Sequence, residues 1–177
     1  GAEPVIVDIG ENDWTLDIKL LEKAILKVKP VAIIVVHTLG HPADMKSLLK
    51  LKRKYKFKII EDAAGAMGAE YLKKRVGCIA DLGIFSFNGN KVLTTGSGGA
   101  LLINSITLLR RANLLSKQGK LNADYKYICS GYNYKMSNIN ATLGYAQIKL
   151  FNQTLKEKLK IAKIYDFAFK NIDKFSV

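Results

Sequence analysis

The run Val31 to Val36 (Val-Ala-Ile-Ile-Val-Val) constrains the fold more than any other stretch of this 177-residue chain. Six consecutive apolar residues, most of them β-branched, predict a strand covered on both faces, as parallel sheets require. Upstream, Leu20, Leu21, Ala24, Ile25 and Val28 recur at helical spacing, with Asp17 near the start and Pro30 as the stop. Downstream, a helix over Ala43 to Tyr55 leads into a second buried strand, Phe57 to Ile60. The run Pro4 to Ile9 reads as a further strand before the first helix. Strands alternating with helices predict an α/β fold, a parallel sheet joined by right-handed crossovers.

The rest of the chain keeps the alternation. Gly83 to Phe87 and Gly99 to Ile103 are short strand candidates separated by the glycine-rich run Thr94 to Gly99. A helix over Ile106 to Lys117 follows, then an irregular stretch rich in Tyr and Asn at 118–136. From Ser137 to Asp173 the pattern is one or two long amphipathic helices, with Ser137 or Asn138 as the cap. The final helix finds no partner in this sequence, and the chain opens without Met on a strand-like run. Both features predict a piece truncated from a larger fold.

Composition excludes several function classes. The formal net charge is +13, but only four of the basic residues are arginines (Arg53, Arg75, Arg110, Arg111). The lysines scatter along helix faces, so solvated surface explains them better than a nucleic-acid interface, which favours Arg interleaved with aromatics. No apolar run approaches the roughly 20 residues of a membrane-spanning helix. Two separated cysteines, Cys78 and Cys129, fit a reducing compartment, and a soluble cytoplasmic protein is expected. His37 and His41 are four apart, but Gly40 and Pro42 argue against the helix that would make them metal ligands, so no metal is expected and His37 is assigned to a loop.

In doubly wound sheets, ligands bind beyond the carboxyl ends of the strands. Those ends carry His37 and Thr38, Glu61 and Asp62, Ser86, and a loop with Asn88, Asn90 and Lys91. An acid, a hydroxyl and a lysine at one edge suit an enzyme working through a lysine Schiff base. Pyridoxal 5'-phosphate needs such a lysine, a carboxylate at its pyridine nitrogen, and donors for its phosphate. The run Thr95 to Gly99 is either a phosphate cradle or a tight hairpin, since it matches neither the dinucleotide fingerprint nor the P-loop.

The ordered set Glu61-Asp62-Ala63-Ala64, Gly68-Ala69, Val76-Gly77, Asp81-Leu82-Gly83, Ser86-Phe87-Asn88-Gly89-Asn90-Lys91, Thr94-Thr95-Gly96-Ser97-Gly98-Gly99 and Gly131-Tyr132-Asn133-Tyr134-Lys135-Met136-Ser137-Asn138 resembles the DegT/DnrJ/EryC1/StrS family of sugar aminotransferases. His37 to Met45 fits the same pattern. The resemblance implies a fold-type-I aminotransferase dependent on pyridoxal phosphate, acting as a homodimer. Residues 1–136 would be the central part of its cofactor-binding large domain, a mostly parallel sheet between helices. Residues 137–177 would be a long helical segment leading towards a C-terminal domain.

By the same resemblance, Lys91 would carry the cofactor and shuttle the proton, and Asp62 would face the pyridinium nitrogen. Ser86 would bind the phosphate, and Asn133 would reach it from the neighbouring subunit. The Asn-Gly-Asn-Lys form of the lysine motif is similar to enzymes aminating C4 of UDP-linked 4-keto-6-deoxy-N-acetylhexosamines, with glutamate as donor, for glycosylation or polysaccharide synthesis. The sequence departs from the family pattern at Gly65, where Gln or His is usual near the cofactor's 3-hydroxyl. Lys135 likewise replaces an Arg and so lacks its two-pronged fork. These departures motivate the other expectation, an inactive remnant that serves as a dimerisation or binding module.

Overall fold

A computed structural model of the chain describes residues 1–121, 126–170 and 172. Helix α1 (Ile18–Val28) starts where the sequence predicts: the Asp17 carboxylate accepts the N–H groups of Lys19 and Leu20, two of the donors a helix start leaves unpaired. Strand β1 (Ala32–Val36) and helix α2 (Met45–Tyr55) follow, α2 capped by Asp44 on the Ser47 N–H. Strand β2 (Lys58–Asp62) leads through a two-stranded hairpin, β3 (Glu70–Tyr71) and β4 (Lys74–Arg75), to β5 (Leu82–Ser86) and β6 (Gly99–Ile103). Helix α3 (Ile106–Ser116) and the 32-residue α4 (Asn138–Phe169) complete the order.

The main sheet has the order β1-β2-β5-β6. The first three strands are parallel, and β6 runs antiparallel to β5. The connection between β5 and β6 is residues 87–98, so it is a hairpin with a long loop and not a tight one. That length is what gives Lys91 a place beyond the sheet edge.

The two faces of the sheet differ. On the inner face Ile33, Val35 and Ile59 pack against Leu21 and Ile25 of α1 and Met45, Leu48 and Leu51 of α2. Burying each of these side chains stabilises the fold by about 2 kcal/mol. On the outer face Ile34, Val36, Ile84 and Leu101 stay 63, 48, 36 and 48% exposed. The expectation that the Val31–Val36 strand is covered on both sides is therefore corrected: it alternates buried and exposed, because α1 and α2 both lie on one side.

The predicted strand at Pro4 to Ile9 also fails. Ile9 makes a single antiparallel bridge to Leu16, and Val5 and Ile6 are exposed. A strand needs a neighbour for its backbone groups, and among the described residues the end of this run has one, where Ile9 bridges Leu16 and the Asp8 carbonyl accepts the Asp17 N–H at 3.2 Å. The alternative of two helices after Ser137 resolves to one helix, whose cap is Ser137 on the Asn140 N–H. Asp173, where that pattern ends, lies outside the described residues.

Candidate active site

Strand alternation decides the site. Glu61 and Asp62 are neighbours, so their side chains go to opposite faces of β2. Asp62 falls on the outer face, in a transverse row with Val36, Ile84 and Leu101. Its carboxylate accepts the Ala64 N–H at 3.1 Å, and its carbonyl accepts the His37 N–H at 3.1 Å. Ser86 lies two residues beyond Ile84 on the same face of β5, about 7 Å further along. Its hydroxyl accepts the Asn88 N–H at 3.4 Å. Lys91 sits in the loop just beyond, where its N–H closes a turn on the Asn88 carbonyl at 3.1 Å. Its ammonium group has no hydrogen-bond or ion-pair partner among the described residues.

Asp62, Ser86 and Lys91 are thus gathered at one edge. Asn133 is not: it bridges Lys117 at the end of α3 and is exposed, with nothing pairing it to β2 or β5. At Gly65 a Cβ would meet nothing within 4 Å, so the spot is open. The Lys135 ammonium makes one 3.4 Å bond to the Asn113 side chain. The glycine-rich run is the return arm of the hairpin. Phe87 N–H donates to the Gly98 carbonyl at 2.9 Å, and the Gly96 N–H is taken by the Thr94 hydroxyl at 2.9 Å.

Behind Asp62 lies a buried pair, Glu61 and His37. His37 follows β1 in the loop to which the sequence assigns it, and its side chain turns inward, 1% exposed. Its Nδ1 accepts the Ala43 N–H at 3.2 Å, which leaves Nε2 to carry the proton it donates to Glu61 at 3.2 Å. The Glu61 carboxylate also accepts N–H groups from Gly77, Ile79 and Ala80 at 2.7, 2.6 and 2.6 Å. Burial pushes its pKa up, but the His37 bond and these three amides outweigh that and hold it below the ordinary glutamate value. The available signal was the Glu-Asp pair at a strand end: if one points to solvent, the other must be satisfied inside.

The DegT/DnrJ/EryC1/StrS aminotransferase family model matches residues 1–177. The chain belongs to this family. Its curated relatives include a GDP-perosamine synthase of Escherichia coli O157:H7, 38% identical over 174 residues, 98% of this chain and 47% of that protein. A UDP-4-amino-4,6-dideoxy-N-acetyl-beta-L-altrosamine transaminase of Campylobacter jejuni is 36% identical over 181 residues, 99% of this chain and 48% of the other. Among solved structures, the Helicobacter pylori aminotransferase PseC, involved in the biosynthesis of pseudoaminic acid, superimposes with a TM-score of 0.91 at 31% identity, covering 97% of this chain and 46% of PseC. A Streptococcus pneumoniae protein described as a sugar aminotransferase and solved in its PLP form gives 0.88 at 28% identity, covering 97% and 49%.

The fold is accordingly that of the fold-type-I aminotransferases. The chain spans about half the length of the curated relatives it matches. The family and its PLP-form neighbours imply dependence on pyridoxal phosphate. The donor set fits that group: a carboxylate, a hydroxyl and an amine without a competing partner among the described residues stand at one strand edge.

Proposed function

We propose that the chain is the cofactor-binding part of an aminotransferase that puts an amino group on C4 of a nucleotide-linked 4-keto-6-deoxy sugar. The observation that carries this reading is the placement of Asp62, Ser86 and Lys91 at the carboxyl ends of β2 and β5. Pyridoxal phosphate, when bound, supplies the electron sink for amino-group transfer. Asp62 would hold the proton on its ring nitrogen and Ser86 would donate to its phosphate. Lys91 would bind its aldehyde carbon and move the proton between the two carbons that exchange it. Asn133 would complete the phosphate site of a partner subunit in a homodimer; its exposed position away from β2 and β5 supports that role.

A UDP-linked N-acetylhexosamine derivative is the preferred substrate, with glutamate as donor, on a route to surface glycans or glycosylation. The transaminase of Campylobacter jejuni supports the UDP-linked choice, and the perosamine synthase makes a GDP-linked sugar the competitor to test beside it. Among the described residues no helix is long and apolar enough to cross a membrane, and we place the activity in the cytoplasm. Residues 1–136 would form the central large domain, and 137–177 would lead out of it.

The test is the absorption spectrum of the purified chain with pyridoxal phosphate, followed by borohydride reduction and peptide mapping. A visible band fixed as an adduct on Lys91, and lost in Lys91→Ala, is the expected result. An unchanged spectrum in that variant sinks the reading. The open site at Gly65 and the single Lys135 bond favour a second reading, a binding module without turnover. Transamination of a keto sugar nucleotide by the isolated chain excludes that second reading.

A further inference from the structure

The loop that carries Lys91 is tied to a helix far from it in sequence. Within the loop, Thr94 donates its hydroxyl to the Phe87 carbonyl at 3.2 Å, and the Thr95 N–H reaches the same carbonyl at 2.9 Å. These bonds close the loop on itself but do not fix it against the body of the fold. The loop buries Leu93 and Thr95, and its polar attachment comes from α4. The Gln147 side-chain oxygen accepts the Thr94 N–H at 3.2 Å, three residues after Lys91. The Asn140 side-chain amide donates to the Thr95 carbonyl. Between them lies Gly144, where a Cβ would come within 2.8 Å of the Thr95 methyl.

Positions 140, 144 and 147 share one face of a helix. The stripe continues with Phe151 and Leu155, which close over Gly68: a Cβ there would meet them at 3.1 and 2.8 Å. One helix face therefore holds both the lysine loop, by polar groups, and the segment after Asp62, by apolar ones. The backbone amide of Thr94 is only partly buried, so water can replace its partner, at the cost of a fixed geometry.

We infer that Asn140 and Gln147 are positioning residues for Lys91, and that α4 sets the distance of the lysine loop from the sheet edge. The inference rests on the reading of Lys91 as the cofactor lysine. Its test is chosen so that the two can fail separately. Three single variants of the full chain are compared with the parent: Gln147→Leu, which removes the acceptor; Gln147→Glu, which keeps an oxygen there; and Gln153→Leu, an exposed control on the same helix.

The first readout is amide hydrogen exchange by mass spectrometry without cofactor. Gln147→Leu is expected to speed exchange about fivefold in peptides covering residues 88–98, the worth of one hydrogen bond, with β1 and β2 unchanged. The second is the yield of borohydride-fixed pyridoxal phosphate on Lys91, expected to fall by a similar factor in Gln147→Leu and to return in Gln147→Glu. Exchange and trapping that match the parent in Gln147→Leu overturn the inference. So does acceleration spread over the whole chain, which marks a merely structural role, or an equal effect from Gln153→Leu. A parent that fixes no cofactor on Lys91 overturns the reading of Lys91, while the exchange data still decide whether α4 holds the loop.

Discussion

The two faces of the sheet carry neighbouring residues into different kinds of surroundings. Glu61 enters the inner face and finds every acceptor site used, by His37 and by the Gly77, Ile79 and Ala80 amides. Asp62, one residue on, enters the outer face among side chains that remain open to solvent and accepts a single amide from Ala64. A satisfied carboxylate fixes structure; a carboxylate with capacity left can bind something. On the proposed reading, two acids adjacent in sequence divide stability and chemistry between them, and the direction of the side chain assigns the roles.

That contrast can be broken most directly at Glu61. Glu61→Ala leaves three amides and an imidazole without their acceptor, and should cost about 4 kcal/mol in a denaturant titration. Asp62→Ala should change the same midpoint by no more than about 0.5 kcal/mol while weakening cofactor capture. Next comes a matched pair on β2 and β5. Ile59→Ala on the inner face should cost about 3 kcal/mol, and Ile84→Ala on the outer face less than about 1 kcal/mol. Equal costs would mean the faces do not differ as described. Gly83→Ala sharpens the same point, since its Cβ would sit 1.8 Å from the Gly77 carbonyl; overpacking of this kind costs about 3 kcal/mol.

The smallest effect is a pH dependence. Glu61 has a folded pKa below its ordinary value, so its contribution is fully present above about pH 4.5. It is lost as the pH falls through the lower folded value. Asp81 acts in the same direction: burial raises it, but bonds from Lys52 and the Ile59 amide lower it further. Acid titration of the unfolding midpoint should therefore fall more gently in Glu61→Gln than in the parent. Parallel curves would show that Glu61 does not supply this linkage.

Much of this arrangement was legible in the sequence. Periodicity located α1, α2 and α3 to within a residue or two, because each has an apolar face and a side chain that caps it, as Asp17, Asp44 and Ser105 do. Asp62 and Ser86 were legible as strand ends and Lys91 as a residue of the loop beyond, whereas Asn133 came from the family resemblance alone. The reversal of β6 is not legible in the sequence, since a short apolar run carries no sign of its direction and Thr95 to Gly99 suits a phosphate cradle as well as a hairpin. The exposed face of β1 was missed because six apolar residues in a row look alike whether one side or two are covered. His37 was legible as a loop residue, since Gly40 and Pro42 exclude an α-helix there, but no local pattern shows that a residue leaving a strand points inward. The grip of α4 on Thr94 and Thr95 spans some fifty positions of sequence, and no local pattern announces it.

The hairpin formed by β5 and β6 has a consequence for how the site assembles in time. Ser86 pairs with Gly99 and Leu82 with Ile103, so Ser86 and Lys91 are brought to the edge by contacts close in sequence. Asp62 joins them only when β2 pairs in parallel with β5, across the whole segment that carries β3 and β4. Loop closure makes the first kind of contact fast and the second slow. In a refolding chain the amine and the hydroxyl would take their places before the carboxylate, and the docking of α4 would come last.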